Sequence, residues 1–280
     1  MKKRIVVIIT VVAASLYALG ALKILPMNAM RYLLQIYLYI ALGQAWNLLS
    51  GFSGATSLGQ QLYIGLAGYA MAVVTSTWHG SAWFGIVAGL IASALVALAL
   101  SPVLFRMRGM YFAIATWVAA EAMEKLFLNW KFTRQGIGMT IGLSPYPTTA
   151  QVYLMALTVC CVTILVVWLV LRSKMGLGLM ALRDDPSASA VVGINLFRMR
   201  TRVYVLAALI TALVGGVFFI NKGSIYPDSG FSTGWTVSSV FICIIGGTGT
   251  LSGPIVGAVL LVLLALPATL ASLDRLIVRR

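Results

Sequence analysis

The chain is poor in charged residues, and in acidic residues above all. Only 9% of its 280 residues are charged, and Asp and Glu together number 6. Soluble globular domains contain about 25% charged residues. Because 61% of the residues are hydrophobic, the chain has more apolar surface than one soluble core could bury. These values exclude an ordinary soluble domain and indicate several membrane spans.

Residues that bind metals or support hydrolytic chemistry are also scarce. The single histidine is His79, and the three cysteines, Cys160, Cys161 and Cys243, lie in apolar runs without paired spacing. No lysine follows the glycines of 246–253, as a phosphate-binding loop requires. The sequence therefore predicts no bound metal, no disulfide framework and no ATP site in this chain, and it argues against a membrane-embedded enzyme.

Basic residues, in contrast, are abundant, since 20 Lys and Arg give a net charge of +14. In a soluble protein this charge would suggest nucleic acid, but in a membrane chain it is typical of cytoplasmic loops and anionic headgroups. We therefore expect a lipid bilayer and no nucleic acid as a partner. A basic tip followed by the apolar run 5–22 predicts a retained first span that starts in the cytoplasm.

The apolar runs predict an all-α, polytopic transmembrane helix bundle of about eight or nine spans in a single domain, 1–280. A helix needs about 20 residues to cross the hydrocarbon layer. One run is short and is followed by a glycine cluster, which predicts broken or re-entrant segments. The runs cover residues 5–22, 31–50, 57–76, 83–105, 109–129, 150–171, 202–221, 235–247 and 253–271.

Charge placement predicts which loops face the cytoplasm. The longest loop, 172–201, is rich in arginine, so it is assigned to the cytoplasmic side and the loops 130–149 and 222–234 to the outside. Nine crossings would leave the arginines of the C-terminal segment 274–280 outside. Either one late segment is re-entrant or the charge rule does not hold there, and the sequence leaves both alternatives open.

The segment 173–193 is a polar island in this loop. Asp185 followed by Pro186 is typical of a helix start, and Gly193 of a helix end. Upstream, one apolar stripe predicts a first short helix through Met175, Leu179 and Leu182. A helix, a break and a second helix on the cytoplasmic face suit insertion into a groove of a partner. An amphipathic turn lying on the bilayer is the alternative.

Polar residues inside the predicted spans are candidates for a translocation pathway or gate. Glu121 and Glu124 lie on one helix face, where Lys125 is spaced to pair with Glu121. They indicate either a gate or a structural pair near the outer interface. The segment 43–70 supplies the other candidates, for a pathway or for helix packing: Gln44, Asn47, Ser53, Thr56, Ser57, Gln60 and Tyr63. The spacing of Gly249, Gly253 and Gly257 predicts close helix packing.

Five segments carry a family resemblance: NLLSGFSGATSLGQQLYIGLAGYA (47–70), RGMYFAIATW (108–117), SKMGLGLMALRDDPSASAVVGIN (173–195), PDSGF (227–231) and GGTGTLSGPIVGAVLL (246–261). Together these segments resemble the integral-membrane permeases of bacterial ABC importers for branched-chain amino acids, of the type usually paired with a sister permease. The chain departs from the family pattern at Gln60, where relatives commonly have His, and at its end, where relatives commonly carry one more span.

The resemblance implies a multi-pass subunit of the bacterial inner (cytoplasmic) membrane that works by alternating access. Its expected partners are a sister permease or a second copy of itself, two cytoplasmic ATPase subunits that bind ATP and Mg, and an extracytoplasmic substrate-binding protein. The loop 173–200 would be the cytoplasmic coupling loop. The residues expected to contact the ATPase are Gly176, Ala181, Leu182, Arg183, Asp184, Asp185, Pro186, Ala188, Gly193 and Ile194.

Two alternatives remain open at this stage. A related permease could carry urea, short amides or sugars. A stand-alone secondary carrier or channel would instead use Glu121 or Glu124 as an ion or proton site.

Overall fold

The computed structural model describes residues 26–133, 136–186, 189 and 195–277. The predicted first span, 5–22, lies outside the described residues, as do Ala188, Gly193 and Ile194 of the predicted coupling loop.

Within the described residues the chain is almost entirely helical, which confirms the all-α prediction. A π-helical turn, Asn47–Gly51, follows the first helix, and a 3-10 turn, Lys131–Thr133, follows the fourth. Two short strands, β1 (Met139–Thr140) and β2 (Ser224–Ile225), pair antiparallel. The helices are α1 (Met27–Trp46), α2 (Gln60–Ser76), α3 (Ala82–Leu104), α4 (Met110–Asn129), α5 (Thr149–Arg172), α6 (Lys174–Asp184), α7 (Leu196–Lys222), α8 (Pro227–Gly230), α9 (Gly234–Gly246) and α10 (Gly253–Ile277).

Four of the described segments are both long and apolar enough to cross a membrane. They are α3, α5, α7 and the segment Pro227–Gly246, which contains α8 and α9. The sequence explains why other helices fall short, since α2 has only 17 residues and α4 carries Glu121, Glu124 and Lys125. The total of eight or nine spans therefore stays a prediction.

The core of the bundle forms around α1, α2 and α7. Helix α7 is buried along most of its length between α2 and α3 on one side and α1 and α5 on the other. Small residues allow α2 to approach its neighbours closely, as where Gly89 of α3 meets Ala67 and Gly215 of α7 meets Ile64. Helices α3 and α5 lie at the edge of this core: each contributes buried residues such as Ala97 and Tyr153, while other apolar side chains such as Ile91 and Leu165 are exposed, as lipid contact requires.

The two ends of the bundle differ in structure. At one end, which we call the β-ladder end, the loops after α4 and α7 are joined because Met139 pairs with Ile225. At the opposite end, which we call the α6 end, α6 follows α5 directly and packs against α5 and α7. Helix α9 has 13 residues, so it rises only about 20 Å and is too short to cross the hydrocarbon by itself.

The helix and the break predicted within 173–193 are both present. Leu179 and Leu182 of α6 are fully buried, and Met175 is partly buried. At Asp185 the backbone is extended, with φ −151° and ψ 104°. The Ser189 amide then donates to the Asp185 carbonyl oxygen at 3.1 Å, as at the start of a new helical turn. The remainder of the predicted second helix falls outside the described residues.

Candidate functional site

The chain does not continue as a helix from α1 into α2. After the π-helical turn, residues 52–59 run through the protein without regular structure. Side chains of neighbouring elements hold this backbone, since Trp46 Nε1 donates to the Ser57 carbonyl at 2.8 Å and the Leu58 amide donates to Thr116 Oγ1 at 2.9 Å. Irregular backbone at membrane depth is stable only when protein groups satisfy its hydrogen bonds.

A second irregular segment, the glycine loop 247–252, joins α9 to α10. The Gln44 side chain donates from Nε2 to the Leu251 carbonyl at 2.6 Å. Asn47 makes two bonds, from Nδ2 to the Thr250 carbonyl and from the Gly249 amide to Oδ1, each 2.8 Å long. Both side chains are 0% exposed. The carboxamide of Asn47 therefore pairs with the loop as a neighbouring strand would.

Arg183, near the C-terminal end of α6, reaches the same place. Its Nη1 donates to the Gly51 carbonyl at 2.9 Å. Gly249 has φ +73°, a backbone conformation that favours glycine, and a Cβ there would lie 2.6 Å from Arg183 Nη1 and would displace the guanidinium. We call this cluster the polar junction: Gln44, Asn47, Gly51, Arg183 and the loop residues 249–251. It connects α6, the end of α1 and the glycine loop.

Gln60 lies deeper in the bundle, at the first residue of α2. Its backbone amide donates to Thr236 Oγ1 at 3.1 Å, and its side-chain Oε1 accepts from Thr211 Oγ1 at 2.8 Å. The neighbouring Gln61 accepts a hydrogen bond from Thr236 Oγ1. The start of α2 is thus fixed to α7 and α9. Sequence reasoning missed Thr211 and Thr236, because single threonines inside apolar runs carry no distinguishing pattern.

The remaining candidates of segment 43–70 divide by exposure. Ser53 and Ser57 are buried, and Ser53 Oγ donates to the Leu49 carbonyl at 2.6 Å. Tyr63 is also buried and meets Tyr204 edge to face, with ring centroids 5.8 Å apart. Thr56 is exposed on the loop. Of these residues, only Thr56 and Ser53 line a cavity, which is described below.

Glu121 and Glu124 lie on α4, away from the polar junction. The expected ion pair between Glu121 and Lys125 is wrong. Instead Lys125 Nζ lies 3.5 Å from Glu124 Oε1, and Glu121 Oε1 accepts a 3.2 Å hydrogen bond from Trp117 Nε1. The indole of the preceding turn therefore satisfies Glu121, and the lysine pairs with its neighbour in sequence.

The residues predicted to contact an ATPase lie along α6 and just after it. Gly176 is buried where α6 turns away from α5, and a Cβ there would meet the backbone of Leu171. Leu182 is buried and Ala181 is half-buried. Asp184, Asp185 and Pro186 are exposed. The described part of this element therefore has a buried stripe toward the bundle and an exposed C-terminal end.

Gly253 and Gly257 lie where α9 and α10 approach each other. A Cβ at Gly257 would overlap the carbonyl of Ile242, and a Cβ at Gly253 would overlap the carbonyl of Gly247. These clashes involve backbone atoms, which cannot move aside as a flexible side chain can.

Replacing Gly257 with alanine is therefore expected to destabilise the protein by about 1–3 kcal/mol through overpacking. Thermal unfolding of the purified protein in detergent would measure the change. Gly216→Ala is the matched control, because the nearest atoms to a Cβ there lie at 3.6 and 3.8 Å, ordinary contact distances. Equal unfolding temperatures for the two variants would contradict the packing described for α9 and α10.

Comparisons with known proteins agree with this architecture. The family described as branched-chain amino acid transport system / permease component matches residues 28–272. The high-affinity branched-chain amino acid transport system permease protein LivM of Salmonella typhimurium strain LT2 is 27% identical over 256 residues, and that of Escherichia coli strain K12 is 28% identical over 259 residues. Each alignment covers 80% of this chain and 60% of the relative, so the chain spans about 60% of the length of these proteins.

A fructose import permease protein, FrcC of Rhizobium meliloti, is 33% identical over 131 residues, which cover 45% of this chain and 35% of that protein. No solved structure matches the chain. Because the family match extends over most of the described helices, the chain belongs to the permease component family of branched-chain amino acid transport systems.

Proposed function

We propose that the chain is the permease subunit of an ATP-driven importer for branched-chain or other hydrophobic amino acids. It moves substrate by alternating access, and separate cytoplasmic subunits bind ATP and Mg and hydrolyse the nucleotide. Support comes from the family match over residues 28–272 and from the two relatives named as branched-chain amino acid permeases.

The observation that carries the mechanical part of the proposal is the 2.9 Å hydrogen bond from Arg183 to the Gly51 carbonyl. A displacement of α6 by a partner acts directly on Gly51, and through Asn47 it acts on the glycine loop as well. The junction is bonded through side-chain amides and a guanidinium, so it moves as a unit. We propose that α6 is a lever and that Gln44 and Asn47 transmit its motion, rather than lining a wet path.

Charge indicates which end of the bundle faces the cytoplasm. Among the residues whose side chains the structure describes, only Arg31, Lys125, Lys131 and Lys222 lie toward the β-ladder end. The α6 end carries twice as many basic residues: Arg106, Arg108, Arg172, Lys174, Arg183, Arg198, Arg200 and Arg202. By the positive-inside rule we propose that the α6 end is cytoplasmic and faces the ATPase subunits, in the inner membrane of a bacterium. The β-ladder end then faces the extracytoplasmic binding protein.

A second permease chain completes the proposed assembly, either a sister permease or a second copy. Helix α4 supports this proposal, because its exposed apolar side chains adjoin the partly buried Glu121 and Glu124. A carboxylate is costly to expose to lipid, so this face suits a partner chain or the pathway between two chains better than hydrocarbon.

Reconstitution in vesicles tests the function. With the ATPase subunits and the binding protein present, we expect uptake of leucine, isoleucine or valine. This uptake should require ATP on the side of the membrane that the α6 end faces. A sugar importer would instead accumulate fructose, and a secondary carrier would transport without the ATPase and would stop when an ionophore collapses the ion gradient. Either result would overturn the proposal.

A further inference from the structure

A half-open cavity of about 850 Å³ lies at the α6 end. It is bounded by loop residues 53–56, by the turn from α3 into α4, by the end of α6 and by the start of α7. Its walls are largely apolar, but three arginines, Arg108, Arg183 and Arg200, also line it. No acidic residue is among the described residues that line this space.

Among the described residues that line the cavity, no carboxylate offsets the charge of the arginines. Arg200 is half-buried, and its Nε is buried without a hydrogen-bond partner. Arg108 adds Coulombic repulsion to Arg200. Arg183 donates a hydrogen bond to the Gly51 carbonyl. A buried guanidinium N–H without an acceptor, beside a second positive charge, is destabilising unless an anion completes the site.

The geometry of the walls indicates what kind of anion fits. Arginine forms paired hydrogen bonds to phosphate oxygens, so Arg108 and Arg200 suit a phosphate group. Apolar side chains surround the arginines, and beside the turn several of them are exposed, with Val103 at 56% and Met110 at 77%. A ligand that matches both features is an amphiphile with a phosphate head and an acyl chain.

The position of the cavity agrees with this chemistry. It lies where α3 ends and α7 begins, and these helices belong to two of the segments long and apolar enough to cross the membrane. The phosphates of a bilayer lie at the ends of such helices, and basic pockets between helices on the cytoplasmic side bind anionic headgroups.

From these observations we propose that the cavity binds an anionic phospholipid of the adjacent leaflet, with its phosphate between Arg108 and Arg200 and an acyl chain along Phe105, Met107 and Met110. The proposal requires that the α6 end lies at the membrane surface. It does not depend on which substrate the permease transports.

Native mass spectrometry of the full chain in detergent tests this site. Phosphatidylglycerol and phosphatidylcholine with identical acyl chains serve as probes. We expect the unmodified chain to bind phosphatidylglycerol more tightly, and the double variant R108Q/R200Q to bind it at least about tenfold more weakly. The matched control is R106Q/R198Q, which makes the same charge change in the same turn and helix, at exposed residues that do not line the cavity. It should change binding by no more than about threefold.

A second variant, Met107→Glu, tests the same site at a position where substitution should not disturb folding, because Met107 is 38% exposed. It places a carboxylate beside the arginines and should weaken phosphatidylglycerol binding while the protein elutes as the unmodified chain does. Equal losses in the cavity variant and its control would show diffuse surface attraction and overturn the proposal. Displacement of the lipid by inorganic phosphate at similar concentration would make free phosphate the ligand. If R108Q/R200Q bound phosphatidylglycerol as the unmodified chain does but no longer co-purified with the ATPase subunits, the arginines would bind protein carboxylates instead, and the proposal would be overturned.

Discussion

Replacing Arg183 with glutamine is expected to lower ATP-driven uptake at least about tenfold. The substitution removes the charged donor that joins α6 to the Gly51 carbonyl. Hydrogen bonds from charged groups contribute about 1.5–3 kcal/mol, and each 1.4 kcal/mol corresponds to about a tenfold change in an equilibrium constant. If α6 acts as the lever, the ATPase subunits of the variant still hydrolyse ATP, but substrate and binding protein no longer stimulate the hydrolysis.

Two further variants make the Arg183 experiment specific. Lys174→Gln makes the same charge change on the exposed surface of the same helix and should leave uptake within about twofold. Arg183→Lys keeps a charged donor but not the planar guanidinium, so it should recover part of the uptake. Uptake and ATPase activity would be measured in the same vesicles. If the glutamine variants at 174 and 183 transported equally well, α6 would not act through the polar junction.

Replacing Asn47 with leucine is expected to have the largest effect on stability. Leucine is of similar size but has no polar atoms, so the Gly249 amide and the Thr250 carbonyl both lose their partner. A backbone group left without its hydrogen bond costs about 1–3 kcal/mol when it is buried, and these two are only partly buried, so the free energy of unfolding should fall by about 2–3 kcal/mol. Gln44→Leu removes a single bond, to Leu251, and should cause about half this loss.

Hydrogen–deuterium exchange would locate the Asn47 effect. The glycine loop 247–252 should exchange faster in the leucine variant, whereas α5 should be unchanged. Asn129→Leu is the matched control, because Asn129 is exposed and its Nδ2 donates only to the Lys125 carbonyl of its own helix. Unchanged exchange in the glycine loop would mean that Asn47 does not hold it.

How much of this structure the sequence predicts depends on whether a feature has a local pattern. Helix periodicity and the Asp185–Pro186 pair predict α6 and its break, and the short run after residue 234 predicts a helix too short to span alone. These features depend on neighbours within one or two turns. The all-α bundle likewise follows from composition and from the length of the apolar runs.

The polar junction has no such local pattern. Arg183 and Gly51 are 132 positions apart, and Asn47 lies 203 positions from Thr250. A side-chain amide that bonds to a distant backbone group resembles any other buried amide in the sequence. For the same reason Glu121 was expected to pair with Lys125, although the indole of Trp117 is the group that reaches it. Tertiary packing decides which partner a polar side chain bonds to, and the periodicity of the sequence carries no information about that packing.

The irregular stretch 52–59 also constrains how the protein is made. Its Leu58 amide is satisfied by Thr116, and the first amide of α2 by Thr236, which the ribosome adds 58 and 176 residues later. A newly inserted α1–α2 segment therefore brings backbone donors into the membrane before their acceptors exist. Until α9 arrives, water, the translocon or an insertion chaperone has to satisfy them, so α2 can reach its final depth only late in biogenesis.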